Sequence, residues 1–221
     1  MIDTILFDFD GTIVDTNELI ITTFLHVLEG KTAEPLTREK ILPYMGLPLG
    51  EQLQLFSGQE DVRDLVLAYR EYNLKRHDEL VRKFPNVDEV LKKLHENGIR
   101  MGIVTNKVRL TTEKGLRLFG YDAYMDEVVT AEDVEVGKPD PAGVLVAVSL
   151  LQADPKKTLM VGDSHFDLLA GQRAGVLSAG VAWSLKGEEF LQTYHPDYML
   201  HDMWDLLEIV GIKRDEPCRE R

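Results

Sequence analysis

Thr4-Ile5-Leu6-Phe7-Asp8-Phe9-Asp10-Gly11-Thr12 starts as an apolar run and ends in a turn. The run Thr4–Phe9 reads as a buried strand, because a short apolar segment closed by Asp10-Gly11-Thr12 has the length of a strand and the punctuation of a strand end. Similar short runs recur at Met101–Thr105, Val128–Thr130, Leu159–Gly162 and Ala179–Ala182. Stretches with helical features lie between the later runs. Asn86-Val87-Asp88-Glu89 has the form of a capping box, followed by an apolar face at Val87, Val90, Leu91 and Leu94 and a stop at Gly98. Thr111–Phe119 closes on Gly120, a helix to about Leu151 opens at Pro141, and Asp167–Ala174 closes on Gly175. Strands alternating with helices of this length predict an α/β fold, a doubly wound, Rossmann-like parallel sheet covered on both faces.

The interval Asp15–Phe84 departs from this rhythm. Leu19–Leu28, Thr37–Leu42, Leu49–Phe56 and Val62–Leu80 all have helical spacing, and none of the interval reads as a strand. The expected organisation is a core formed by residues 1–14 and 85–212, a small helical cap over 15–84, and a charged tail over 213–221. Val14–Thr16 and Arg82–Pro85 are the expected hinges.

The chain has 221 residues, 44% of them apolar and 29% charged, as in ordinary globular proteins. No apolar run approaches the roughly 18 residues that span a bilayer. A net charge of −13 repels phosphate backbones, so nucleic-acid binding is not expected. The single cysteine, Cys218, allows neither an internal disulfide nor a thiolate zinc cluster. The first residues, Met1-Ile2-Asp3-Thr4, lack a basic leader region, and the expected compartment is the cytoplasm.

Chemistry is expected beyond the carboxyl ends of the strands, where open α/β sheets bind ligands. Asp8 and Asp10 follow the first strand, Thr105-Asn106-Lys107 follows the second, and Gly162-Asp163 follows a later one, with Asp167 four residues on. Lys138 precedes the helix at Pro141. Taken singly, such aspartates are ordinary turn formers or caps, and such a lysine is ordinary surface. Taken together, Asp8, Asp10 and Asp163 converge on one sheet end and call for a hard cation such as magnesium. Lys138 and the Thr105 hydroxyl at the same edge would hold the oxygens of an anion. That combination describes a phosphoryl site.

In order, Asp8-Phe9-Asp10-Gly11-Thr12-Ile13-Val14, Thr105-Asn106, Lys138-Pro139 and Gly162-Asp163-Ser164-His165-Phe166-Asp167 resemble the four motifs of the haloacid dehalogenase superfamily. The resemblance implies that Asp8 is a nucleophile forming an aspartyl-phosphate, and that Asp10 is general acid and then general base. It implies Thr105 and the backbone N–H of Asn106 as phosphoryl ligands, and Lys138 as the neutralising cation. Asp8, the carbonyl of Asp10 and Asp163 would hold Mg2+, with Asp167 orienting a metal-bound water or Lys138. Gly11 and, in the cap, Gly46 are the further candidate substrate contacts.

Met1–Ile21, His77-Asp78-Glu79-Leu80-Val81 and Gly180-Val181-Ala182-Trp183-Ser184-Leu185-Lys186-Gly187 resemble the bacterial pyrophosphatases of the PpaX type. The implied reaction is hydrolysis of inorganic pyrophosphate. Tyr44-Met45-Gly46-Leu47-Pro48 stands in the place of that family's specificity loop but departs from its pattern. Phosphoglycolate or another small phosphomonoester therefore remains the alternative, and a β-phosphoglucomutase-type transfer a further one. Arg70, Lys75, Arg76 and His77 form a basic group in the cap. They are either a solvated helix face paired with Glu71 and Glu79 or the source of a contact to a distal phosphate. Lys186 is a second candidate for that contact. The other histidines, His26, His95, His195 and His201, have no ligand spacing. Assembly stays open between monomer and homodimer.

Overall fold

The computed structural model describes residues 1–213, so the tail expected at 213–221, Cys218 included, lies outside the described residues apart from Lys213. Its strands are β1 (Thr4–Phe7), β2 (Val14–Asp15), β3 (Arg82–Lys83), β4 (Arg100–Val104), β5 (Glu127–Val129), β6 (Thr158–Gly162), β7 (Leu177–Val181) and β8 (Tyr198–Leu200). Six of them form one sheet in the order β5-β4-β1-β6-β7-β8, with every neighbouring pair parallel. The strand order reverses direction between β1 and β6. A parallel sheet leaves a crevice at such a switch point, beyond the carboxyl ends of its strands.

β1 explains why the sheet is covered on both faces. All four of its residues are buried. Ile5 and Phe7 enter one apolar cluster and Leu6 the other, as the two-residue period of a strand requires. The first cluster also takes Val87, Val90, Leu91 and Leu94 of α5 (Val87–Glu96) and Leu116 of α6 (Arg109–Phe119). The second takes Val144, Ala147 and Val148 of α7 (Ala142–Leu150) and Ala170 of α8 (His165–Ala174). Burying each of the larger side chains stabilises the fold by roughly 1.5–3 kcal/mol. Two short helices, α9 (Glu188–Gln192) and α10 (Asp205–Ile209), complete the core.

The insert after β1 is helical, as expected: α1 (Asn17–Val27), α2 (Arg38–Ile41), α3 (Leu49–Ser57) and α4 (Arg63–Leu80). It has its own apolar cluster around Phe24, which meets Phe56 edge-on at 5.3 Å between ring centres and packs against Tyr69 at 4.8 Å. Along α4 the buried positions are Leu65, Tyr69, Asn73 and His77, a strict four-residue stripe that turns polar toward the core.

Three local expectations are corrected. The insert interval is not free of strand. β2 and β3 pair antiparallel, Val14 with Lys83 and Asp15 with Arg82, so both expected hinge segments contribute to one ribbon. Two-residue strands are too short to carry an alternation signal. β8 was also not foreseen, for it is three residues long and lies at the sheet edge. Asn86 does not cap α5 with its side chain. It has a left-handed backbone (φ 64°), and its Nδ2 donates to Asp202 Oδ2 at 2.7 Å. The capping box lies at α8, between Ser164 and Asp167.

Candidate active site

Asp8 follows β1 and Asp163 follows β6, the two strands flanking the switch point. Oxygens of Asp8, Asp163 and Asp167 lie within 4.8 Å of one another. The third carboxylate of this cluster is therefore that of Asp167, not that of Asp10 as convergence at the sheet edge suggested. The Asp10 side chain turns away, accepting hydrogen bonds from Thr16 Oγ1 (2.6 Å) and Lys107 Nζ (2.9 and 3.1 Å).

Lys138 is buried at the centre of the cluster. Its Nζ donates to Asp8 Oδ1 at 2.6 Å, Asp167 Oδ1 at 2.5 Å and the carbonyl of Val104 at 2.7 Å. Burial alone would lower its basicity, but Asp167 and Asp8 outweigh that and hold it above the ordinary lysine range. Both oxygens of Asp167 are engaged, since Oδ2 accepts from the backbone N–H and the hydroxyl of Ser164. It is built to hold Lys138 and the start of α8 in place.

Burial pushes Asp8 up to about 7; Lys138 opposes this, and Asp167 and Asp10 add to it. Burial, then Asp167 and Asp8, raises Asp163 in the same way. The Asp163 carboxylate accepts no hydrogen bond from any described residue. Two crowded carboxylates, one without a protein donor, are the oxygen-only set that suits a hard divalent cation. Gly11 leaves room for this arrangement. Its φ is +79°, and a Cβ there would lie 2.5 Å from Asp163 Oδ2. Gly11 does not border the cavity; its place is against Asp163.

The cavity has a volume of about 120 Å3 and lies between the sheet edge and the cap. Asp8, Asp10, Thr105, Asn106, Lys107 and Lys138 border it from the core, and Gly46, Gln52, Tyr69, Arg70 and Asn73 from the cap. Of the three cap cations and the histidine considered above, only Arg70 does so. Arg76 is bound to Glu79 by two contacts of 2.8 Å, Lys75 borders a separate hollow, and His77 is buried with Nδ1 2.8 Å from Asp78 Oδ1.

Sequence reasoning missed how the cap loop is seated. Asn106 Nδ2 donates to the carbonyl of Gly46 at 2.8 Å and to that of Lys138 at 3.0 Å, while its Oδ1 accepts from the backbone N–H of Lys138 at 2.8 Å. Lys186 Nζ donates to the carbonyl of Met45 at 2.6 Å. Two core side chains thus hold consecutive carbonyls of the cap. Lys186 is therefore engaged with the loop rather than aimed into the cavity. Gly46 has φ +100°, and a Cβ there would meet Phe166 at 3.0 Å. Gly46→Ala is expected to weaken this seat by about 1–2 kcal/mol, the cost of a side chain in left-handed backbone. The apparent KM should rise about tenfold with the melting temperature nearly unchanged. Steady-state kinetics beside a thermal melt checks this; a large loss of melting temperature with unchanged KM would contradict it.

Residues 5–181 match the family model for haloacid dehalogenase-like hydrolases. The fold, the cap and the carboxylate cluster agree with that match, and the chain belongs to this hydrolase family. It is 46% identical over 211 residues to the pyrophosphatase PpaX of Anoxybacillus flavithermus, covering 96% of this chain and 98% of the relative. It is 47% identical over 211 residues to the pyrophosphatase PpaX of Bacillus velezensis, covering 95% and 96%. Among solved structures, a haloacid dehalogenase-like chain from Bacteroides fragilis superposes with a TM-score of 0.85 at 31% identity, over 93% of this chain and 100% of that one. Among the described residues, no helix is long and apolar enough to cross a membrane.

Proposed function

We propose that this enzyme hydrolyses inorganic pyrophosphate to two phosphates through an aspartyl-phosphate on Asp8. The observation that carries the reading is the small cavity between the sheet edge and the cap. At about 120 Å3 it is well below the roughly 300 Å3 at which drug-sized ligand pockets begin, which favours a small anion over a hexose phosphate. Its walls supply cations on both sides, Lys138 and Lys107 from the core and Arg70 from the cap. The near full-length similarity to the PpaX enzymes supports the same substrate.

In this reading Asp8 attacks one phosphorus, and the bond to the bridging oxygen breaks on the opposite side. Thr105 and the backbone N–H of Asn106 bind the transferred phosphoryl oxygens, and Lys138 offsets their charge. Water then attacks the phosphorus of phospho-Asp8, Asp10 takes its proton, and the bond from phosphorus to Asp8 Oδ breaks, freeing the second phosphate and the carboxylate. Asp8, Asp163 and the carbonyl of Asp10 would hold Mg2+, which when bound supplies charge to the phosphoryl oxygens and to the carboxylate cluster.

Phosphate release from pyrophosphate, phosphoglycolate and glucose 1-phosphate, each with magnesium, calcium or EDTA, tests the assignment. Pyrophosphate should be the best substrate. Activity should need magnesium and be suppressed by calcium, whose larger, looser shell disturbs in-line geometry. Full activity in EDTA would overturn the cation reading; preference for either phosphomonoester would overturn the substrate.

A further inference from the structure

One half-buried cation at the site is not used to hold the nucleophile. Lys107 follows Thr105-Asn106 in the loop after β4, and its side chain is only 10% exposed. Its backbone N–H donates to Thr105 Oγ1 at 3.2 Å, and its own carbonyl accepts from Ala131, so the loop that carries it is fixed. The ammonium lies 5.8 Å from the centre of the Phe9 ring and bonds both oxygens of Asp10. A lysine brings three donors, and this carboxylate engages two at most. Lys138, by contrast, has all three directed to Asp8, Asp167 and Val104. The two lysines, both bordering the cavity, therefore serve different carboxylates: Lys138 the proposed nucleophile Asp8, Lys107 the proposed acid and base Asp10.

We infer that Lys107 is a specificity-determining residue, its ammonium binding the leaving phosphate of pyrophosphate and stabilising the charge that develops as the bridging bond breaks. The inference rests on the pyrophosphate reading above. In the step concerned, a bond forms between Asp8 Oδ and phosphorus while the bond from phosphorus to the bridging oxygen breaks. The electron pair stays on that oxygen, which becomes part of a multiply charged phosphate beside Lys107. An alkoxide leaving group needs a proton at this stage. A phosphate leaves as an anion and needs a fixed cation, which a low-dielectric, water-poor site makes effective.

Single-turnover phosphorylation of Asp8 by pyrophosphate and by p-nitrophenyl phosphate, in wild type, Lys107→Met and Lys107→Arg, tests this. Lys107→Met should slow phosphorylation by pyrophosphate roughly 100-fold, the scale of removing one charge-stabilising donor. The loss with p-nitrophenyl phosphate should be at least about tenfold smaller, and Lys107→Arg should recover most of the pyrophosphate rate. Equal losses with both substrates, or a defect confined to hydrolysis of phospho-Asp8, would mean that Lys107 merely positions Asp10, and would overturn the inference. If the wild type itself does not turn over pyrophosphate, the substrate reading fails. Lys107 is then judged separately, on phosphoglycolate, whose leaving alcohol carries a carboxylate, against phenyl phosphate. A larger loss with phosphoglycolate supports the role, and an equal loss removes it.

Discussion

Asp8→Asn is expected to abolish turnover, lowering kcat by at least about 10⁴-fold, because in the proposed reaction no neighbouring group replaces the lost covalent nucleophile. The same substitution should stabilise the protein in EDTA at neutral pH. Burial holds Asp8 at about 7 in the fold against 3.8 as an ordinary aspartate, so the folded state binds more protons than the unfolded state between those values. Stability of the metal-free wild type therefore falls as pH rises from about 4 to about 7, by up to about 1.4 kcal/mol per unit from this group. Asparagine carries no such charge, and Lys138 keeps Asp167 as a partner. Melting in EDTA should show Asp8→Asn level with wild type near pH 4 and clearly above it at pH 7.5. A variant less stable than wild type at pH 7.5 would mean that the Lys138 pair outweighs the burial of Asp8. Residual turnover of a few per cent would remove Asp8 as nucleophile.

Asp10→Asn is expected to separate the two halves of the reaction. A phosphate leaving group, with a relevant ionisation near roughly 6, departs without a proton from Asp10. The second half is different, because water must lose a proton to attack phospho-Asp8. With pyrophosphate the variant should release about one phosphate per site in a burst and then stall. With an alkyl phosphate both halves should be slow and no burst should appear. Stopped-flow phosphate detection reads this directly. Equal steady-state losses without a burst would mean that Asp10 organises the site through Thr16 and Lys107 rather than moving protons.

The sequence carries the fold where its signals are local. Apolar runs that end in Asp8, Thr105 and Asp163 mark three strand ends, and the glycines at 98, 120 and 175 mark three helix ends. Parallel pairing follows from the alternation of strands and helices. Less of the detail was legible where partners are distant. The two-residue strands of the cap ribbon exist because the two ends of the insert must meet, which no local pattern encodes. Asn86 has the side chain of a cap, yet its tertiary bond to Asp202, 116 residues away, goes with a different backbone.

The same holds at the site. Asp8 and Asp163 are legible because acidic groups at strand ends are conspicuous in an apolar context, and Lys138 only in combination with them; Asp10 was expected in the same cluster, whereas its side chain is held by Thr16 and Lys107. Lys107 and the Asn106 side chain were not legible, for each looks like ordinary loop polarity until its partner is seen. The signal that would have found Lys107 is positional. β4 lies beside β1 in the sheet, so a lysine in the loop after one strand reaches an aspartate after the other. Lys186 was singled out as a possible phosphate contact, whereas the structure places its ammonium on the carbonyl of Met45.

Acid quench of the enzyme during turnover of pyrophosphate with magnesium, followed by mass spectrometry of the peptide that carries Asp8, bears most directly on the proposed chemistry. The expected result is one added phosphoryl group on Asp8, accumulating in Asp10→Asn and absent from Asp8→Asn. Rapid phosphate release with no phosphoryl group on Asp8 in either wild type or Asp10→Asn would contradict it, and would assign the attack on phosphorus to water.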